Sequence, residues 1–212
     1  MRYIIMCGGK YNRWKTPRQL LQIHGEPIIA RTLRLLKSEG VSEISISAKD
    51  ERFAKYAPLL KHENKMTVDG EAVTGAWVDA FYPTEEPACY LFGDVVFSQA
   101  AIHKIVNTDT NDILFFGSTP PFSPMFIKEW AEPFAFKVTT QRRFREAIDF
   151  TREHIGTPLF RRHPIAWELW QILTGRDPLT IQYDKVTPIN DFTCDIDSPE
   201  DIDKIERVLC EF

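Results

Sequence analysis

Arg2-Tyr3-Ile4-Ile5-Met6-Cys7-Gly8-Gly9-Lys10-Tyr11-Asn12-Arg13-Trp14-Lys15-Thr16-Pro17-Arg18 is the stretch on which the fold turns. Tyr3 to Cys7 is an uninterrupted apolar run closed by two glycines. A strand wetted on one side would alternate, so the pattern reads as a strand buried on both faces, at the centre of a parallel sheet. Downstream, Pro27 followed by Ile28, Ile29, Leu33 and Leu36, with Gly40 behind, has the start, stripe and stop of an amphipathic helix. Glu43-Ile44-Ser45-Ile46-Ser47 then alternates like a second strand. Strand, helix and strand in this order make a βαβ unit, whose crossover is right-handed.

The same rhythm continues. Thr74 to Tyr82 reads as a helix, and Ala88 to Phe92 as a strand ending at Gly93-Asp94. Ser98 stands at the N-cap of a short helix bearing Ile102, Ile105 and Val106, and Ile113 to Phe116 reads as a further buried strand. The expected class is α/β, with a mostly parallel, doubly wound sheet flanked by helices. Residues 118–182 break the rhythm with Pro120-Pro121, Phe122, Trp130, Phe134, Phe136, Trp167 and Trp170. They read as an inserted acceptor lobe in one domain whose nucleotide-binding core is 1–117 and 183–212, with helices expected over Gln141 to His154 and Pro164 to Thr174. The twin tryptophans, three residues apart, read first as helix core and only second as the wall of an acceptor pocket. Ser198-Pro199-Glu200-Asp201 opens a closing helix with an N-cap, a first-position proline and acids in the first turn.

Composition narrows the function classes. At 212 residues, 43% apolar and 26% charged, the chain suits one sizeable domain. Twenty-six basic against thirty acidic side chains give a net charge of −4, and so no overall field for a nucleic acid or an anionic membrane. A polyanionic ligand needs a local basic site. Cys7, Cys89, Cys194 and Cys210 are too scattered for a zinc spacing and too few for a disulfide framework, which points to reduced thiols in a cytoplasm. The opening apolar run is too short for a signal peptide or a membrane span. His24, His62, His103 and His154 carry no partner pattern and read as surface or packing residues.

Three constellations carry chemistry. The first is the glycine turn Gly8-Gly9 with Lys10, Arg13, Lys15 and Arg18 behind it, at the carboxyl end of a strand. Parallel sheets bind ligands at that edge, glycines let backbone N–H groups approach a phosphate, and Lys or Arg neutralises its charge. Neither G-x-G-x-x-G nor G-x-x-x-x-G-K-[ST] occurs. The second is Gly93-Asp94, a carboxylate beyond another buried strand. It suits Mg²⁺, which prefers hard oxygen ligands. The third is Asp195-Ile196-Asp197, where alternation sets both carboxylates on one side of an extended segment. Taken singly, each has a plainer explanation: a solvated loop, a turn, and acids favoured by a helix dipole.

Taken together they resemble a known family. Met6-Cys7-Gly8-Gly9-Lys10-Tyr11-Asn12-Arg13-Trp14, Pro17-Arg18-Gln19-Leu20-Leu21 and Gly25-Glu26-Pro27-Ile28-Ile29 are similar to the L-A-G-G-x-[SG]-x-R-M, P-K-x-L-L and G-x-P-L-L segments of the MobA-like and sugar-phosphate nucleotidyltransferases. Val73-Thr74-Gly75-Ala76 resembles the family's helix start beside the nucleobase, and Leu91-Phe92-Gly93-Asp94-Val95 its metal-binding strand end. Asp195 to Ile202 is similar to the closing D-T-P-E-D-L. The resemblance spans about residues 1–110 and 190–210.

It implies a GT-A-like, Rossmann-type fold and transfer of a nucleoside monophosphate from an NTP to a small phosphorylated acceptor, with Mg²⁺ as cofactor. Cys7, Gly8, Gly9 and Lys10 would wrap the triphosphate. Arg13 would contact its outer phosphates, and Thr74 and Gly75 would meet the base. Arg18 would take the place of the family's lysine at the α-phosphate, and Asp94, Asp197 and Asp195 would hold the metal. Two departures stand out: Tyr11 replaces Gly or Ser, and Arg18 replaces Lys, a rigid fork for a flexible point charge. They leave room for a second reading, a nucleotide-binding module without turnover. A third, a cytidylyltransferase for an alcohol phosphate such as phosphocholine, stays within the same chemistry. A glycosyltransferase using Asp195-Ile196-Asp197 as a D-x-D site leaves the basic glycine loop unexplained. The aromatic lobe offers a surface for a homodimer.

Overall fold

The computed structural model describes residues 1–8, 16–62, 67–68, 71–72, 77–122, 127–161 and 165–210. In chain order its elements are β1 (Arg2–Met6), β2 (Gln22–Ile23), β3 (Glu26–Pro27), α1 (Ile28–Ser38), β4 (Ile44–Ser47) and β5 (Leu59–Leu60). Then come β6 (Thr67–Val68), β7 (Glu71–Ala72), β8 (Ala88–Phe92), β9 (Val95–Val96), α2 (Gln99–Asn107), β10 (Ile113–Gly117) and β11 (Pro133–Val138). The chain closes with α3 (Gln141–Glu153), α4 (Ala166–Leu173), β12 (Thr187–Pro188), β13 (Cys194–Asp195) and α5 (Pro199–Cys210).

Seven strands form the central sheet in the order β12-β10-β11-β8-β1-β4-β5. β1 pairs in parallel with β4 on one side and β8 on the other, as its apolar run requires. The chain winds outward from β1 to β4 and β5 and returns on the opposite side as β8. The crevice between the ends of β1 and β8 is therefore a topological switch point, the place where such sheets receive ligands.

Alternation along the strands feeds two cores. Tyr3 and Ile5 of β1 and Cys89 and Leu91 of β8 meet α1 and α2 through Ile29, Leu33, Leu36, Ile102 and Ile105. Ile4, Met6 and Tyr90 face the opposite way, onto Phe144 and Ile148 of α3 and Trp167 and Trp170 of α4. Helices cover both faces, as expected of the class. α1 ends where Gly40 takes a φ of 81° and its N–H reaches Lys37 O at 3.0 Å, a left-handed stop that a side chain would strain.

Two local expectations change. β11 lies within the stretch read as a lobe, yet it is threaded antiparallel between β10 and β8 of the main sheet. Phe134 and Phe136, with no exposed surface, are core of that sheet, and Trp167 and Trp170 are buried against it. The alternation in Phe134-Ala135-Phe136-Lys137-Val138 was hidden because Lys137 is also buried; its ammonium donates to Ile105 O, Val106 O and Thr108 O at the end of α2. The helix expected over Thr74 to Tyr82 is a single 3₁₀ turn over Val78–Ala80 in its described part. Trp77 and Val78 are weak helix formers and Pro83 ends the run; residues 73–76 lie outside the described residues.

Candidate active-site cleft

Three backbone arrangements bring distant side chains to the carboxyl edge of the sheet. At the end of β1, Cys7 N donates to Ser47 O at 2.8 Å, and a Cβ on Gly8 would lie 2.9 Å from that of Ala80 and 3.4 Å from the His62 ring. The chain turns through a gap that only glycine fits. At the end of β8, Gly93 N donates to Met6 O at 3.0 Å, which seats Asp94 beside the end of β1. Beyond it, β9 pairs antiparallel with β13, and Ile196 N donates to Asp94 O at 3.0 Å. This short ribbon carries Asp195 and Asp197 to Asp94.

Arg18 completes the group. Pro17 is extended, with φ −51° and ψ 135°, and opens a 3₁₀ turn over Arg18–Leu20 that aims the guanidinium across the cleft. One nitrogen lies 2.7 Å from Asp94 Oδ2, and the other donates to Asp197 Oδ1 at 2.9 Å and to Ile196 O at 2.7 Å. Arg18, Asp94, Asp195 and Asp197, chosen from three separate stretches of sequence, are brought together at this edge, while Cys7 is buried beside Gly93 and Gly8 lies against Ala80 and His62. Gly9, Lys10, Arg13, Thr74 and Gly75, and with them Tyr11, lie outside the described residues.

Two members of the cleft escaped the sequence reading. Lys128 Nζ lies 2.6 Å from Asp195 Oδ1, 2.8 Å from Asp197 Oδ2, 3.2 Å from Glu132 Oε1 and 3.4 Å from Asp201 Oδ2. Its side chain and that of Glu132 are 3% and 4% exposed, against 50% for Asp197, so the lysine forms the floor and the aspartate the open lip. Lys128 and Glu132 sit in an otherwise aromatic, proline-rich stretch. Their i, i+4 spacing was the one available signal, and it reads equally well as an exposed helical pair.

The electrostatics follow burial and sign. Burial raises the Asp94 carboxyl above its ordinary range, with Arg18 pulling it back and Asp195 and Asp197 adding to the rise. Asp94 in turn raises Arg18, whose charge is secure. Burial disfavours the Lys128 ammonium, but Asp195, Asp197 and Glu132 outweigh it and raise its pKa. Burial first and Asp195 next raise the Glu132 carboxyl, while Lys128 pulls it back, and its Oε2 accepts Asp195 N–H at 3.2 Å. Glu132, Asp195 and Asp197 can each bring one oxygen within 4.8 Å of the others, a set of hard donors of the kind Mg²⁺ takes.

The remaining candidates sort plainly. His62 is buried and shares a 3.0 Å hydrogen bond with Ser47 Oγ, while His24 and His103 are exposed and His154 is half-buried. Among the described residues of 118–182, Trp130 and Phe150 are the exposed large aromatics, at 57% and 39%, and the Trp130 ring centroid lies 5.4 Å from Lys128 Nζ. Cys7, Cys89 and Cys194 are buried free thiols. None of the described helices is long and apolar enough to cross a membrane.

Comparison with known proteins identifies the family and the fold. The model of the MobA-like NTP transferase domain matches residues 3–163. The fold is similar to that of the inositol-1-phosphate CTP transferase from T. maritima, at 12% identity and TM-score 0.61 over 99% of this chain and 95% of that one. It is also similar to a putative glucose-1-phosphate thymidylyltransferase from Bacillus anthracis, at 14% identity and TM-score 0.55 over 100% and 96%. A third similar structure is HddC from Yersinia pseudotuberculosis, solved with GMP-PN, at 13% identity and TM-score 0.54 over 98% and 99%. At these identities the likeness is one of fold. No curated protein matches the chain at a significant level.

Proposed function

The chain belongs to the MobA-like NTP transferase domain family, and from that premise we propose that it moves a nucleoside monophosphate from an NTP to a small phosphorylated acceptor, a sugar 1-phosphate or similar polyol phosphate, with release of pyrophosphate. The observation that supports this reading is the pairing of Arg18 with Asp94 and Asp197 at the switch-point edge, with Asp195 joined to Asp197 through Lys128. A cation and a set of acids facing one another across a cleft are what a triphosphate and its counter-ion need. In the reaction an acceptor phosphate oxygen attacks the α-phosphorus; the bond from that phosphorus to the bridging oxygen breaks, and pyrophosphate leaves with the electron pair.

The protein's share is positioning and charge. Arg18, held by two carboxylates at rest, would change partners and clamp phosphate oxygens through its planar fork. Gly8 and Gly9 would give backbone N–H groups close approach, Lys10 and Arg13 would pair with the outer phosphates, and Thr74 and Gly75 would meet the base. Asp94, Asp195 and Asp197 would hold Mg²⁺, which when bound supplies charge neutralisation at the phosphates. The nucleotide pool and the three buried reduced thiols suit a cytoplasmic setting.

The test is pyrophosphate release with each of the four NTPs, with and without Mg²⁺, across a panel of phosphorylated acceptors. The name of the T. maritima neighbour puts CTP with inositol 1-phosphate in the first well, and phosphocholine is the alcohol-phosphate arm. Folded protein that releases no pyrophosphate with any pairing would overturn the proposal. The double tether on Arg18 favours one other reading, a nucleotide-binding module without turnover. That reading predicts an NTP- and Mg²⁺-dependent rise in melting temperature and no product.

A further inference from the structure

The acidic cleft already contains a cation of its own. Lys128 touches Glu132, Asp195 and Asp197, the same three carboxylates whose oxygens are close enough together to close on one ion. Asp201 adds a fourth acid at 3.4 Å, and it is itself fixed by accepting the N–H groups of Asp197 and Ser198 at 2.9 Å. The lysine side chain is 3% exposed, so solvent does not dilute these contacts. Ammonium and metal therefore compete for one set of carboxylates. Lys128 Nζ donates to Asp195 and Asp197 at 2.6 and 2.8 Å and lies 3.2 Å from Glu132 Oε1, so a divalent ion drawn to these acids meets a positive charge already seated among them.

We propose that Lys128 is the resident cation of this cleft: it holds Glu132, Asp195 and Asp197 together in the nucleotide-free protein and keeps a free divalent ion out. The metal then enters with the nucleotide, whose phosphates give Lys128 another anion to pair with. A flexible four-carbon stem suits this role, because a point charge on such a stem can leave one anion for another without disturbing the backbone. The exclusion of free metal rests on the cleft alone; only its relief by a nucleotide rests on the function proposed above.

The test is Mn²⁺ binding, read by the loss of the electron paramagnetic resonance signal of the free ion, with no nucleotide or acceptor present. Lys128→Met should bind one Mn²⁺ on the order of tenfold or more tighter than the wild-type protein, the scale on which residues around a metal site change its affinity. Mg²⁺ should raise the melting temperature of that variant and leave the wild type unmoved. Lys128→Arg, which keeps the charge, should exclude Mn²⁺ as the wild type does. Equal affinity in all three proteins, or tight binding by the wild type alone, overturns the proposal. If Lys128→Met is unfolded in metal-free buffer, its circular dichroism is followed as Mg²⁺ is added, with NaCl at equal ionic strength as control. Folding driven by Mg²⁺ alone supports a vacated cation position, and no response overturns it. The titration contains no substrate, so its failure leaves the transfer reaction standing, and an inactive protein in the transfer panel leaves the titration standing.

Discussion

Replacing Gly93 with alanine puts one methyl group where the ends of β1 and β8 come closest. The new Cβ would lie 2.5 Å from Met6 O, 2.8 Å from Cys7 Sγ and 3.2 Å from Gln19 Cγ. An ordinary carbon–oxygen approach is about 3.3 Å, so roughly 0.8 Å must be found. The obstacle is not the far end of a side chain. Met6 O is backbone, and it accepts Gly93's own N–H at 3.0 Å, so the movement that relieves the clash also breaks that bond. Overpacking of about 1–3 kcal/mol and a backbone hydrogen bond of about 0.5–1.5 kcal/mol together give an expected loss of about 2–4 kcal/mol. Urea melts monitored by fluorescence would measure it, provided the slopes match. Because Asp94 is the next residue, a shift approaching 1 Å should also lower the proposed turnover by about a hundredfold. A Gly93→Ala protein within about 0.5 kcal/mol of wild type would refute the close-contact argument.

Arg18→Ala leaves Asp94 and Asp197 without their guanidinium partner; because Arg18 is about a third exposed, the expected cost is about 1–2 kcal/mol rather than the full cost of a buried pair, together with loss of pyrophosphate release. Retained stability and retained turnover in that variant would remove Arg18 from the site. Ser98→Ala takes away the hydroxyl that accepts Ala101 N–H at 2.8 Å and donates to Asp191 Oδ2 at 2.5 Å, so α2 should lose about 1–2 kcal/mol, read by thermal melting. Burial, followed by Lys49, lowers the pKa of His62 below 6.5, so the unfolded chain takes up the proton more readily than the folded one. The stability this contributes is complete above pH 6.5 and drains away as pH falls towards the folded value. The difference in urea stability between about pH 7.5 and pH 5.5 should therefore be smaller in His62→Gln than in wild type. Equal differences would show that His62 does not set the acid limb.

Much of the fold was legible because its strands are of the simplest kind. β1, β8 and β10 are continuous apolar runs ended by glycine, and α1, α2 and α5 carry both a stripe and a recognisable start. β11 was not legible, because Lys137 breaks the apolar pattern and finds its partners in three carbonyl oxygens contributed from elsewhere in the chain. In the cleft, residues that end elements could be read: Gly8, Asp94 and Asp197 sit where a strand stops or a helix begins. Lys128 and Glu132 could not. Their meaning arises only when the β9–β13 ribbon brings Asp195 alongside them, and nothing within ten residues of either announces it.

That ribbon also sets the order in which the molecule can become competent. Two residues on each side join the strand after Asp94 to the segment before α5, and 178 positions separate Arg18 from the Ile196 carbonyl it holds. Contacts so distant along the chain form late, since loop closure must come before any reward from packing. A ribosome-bound intermediate with the strands through β8 and the turn after it in place would have the glycine edge and Asp94 yet lack the Asp195 and Asp197 carboxylates. On the proposed function, nucleotide would be retained only by molecules whose C-terminal helix has docked, and ligand-dependent protease resistance would report the final stage of folding.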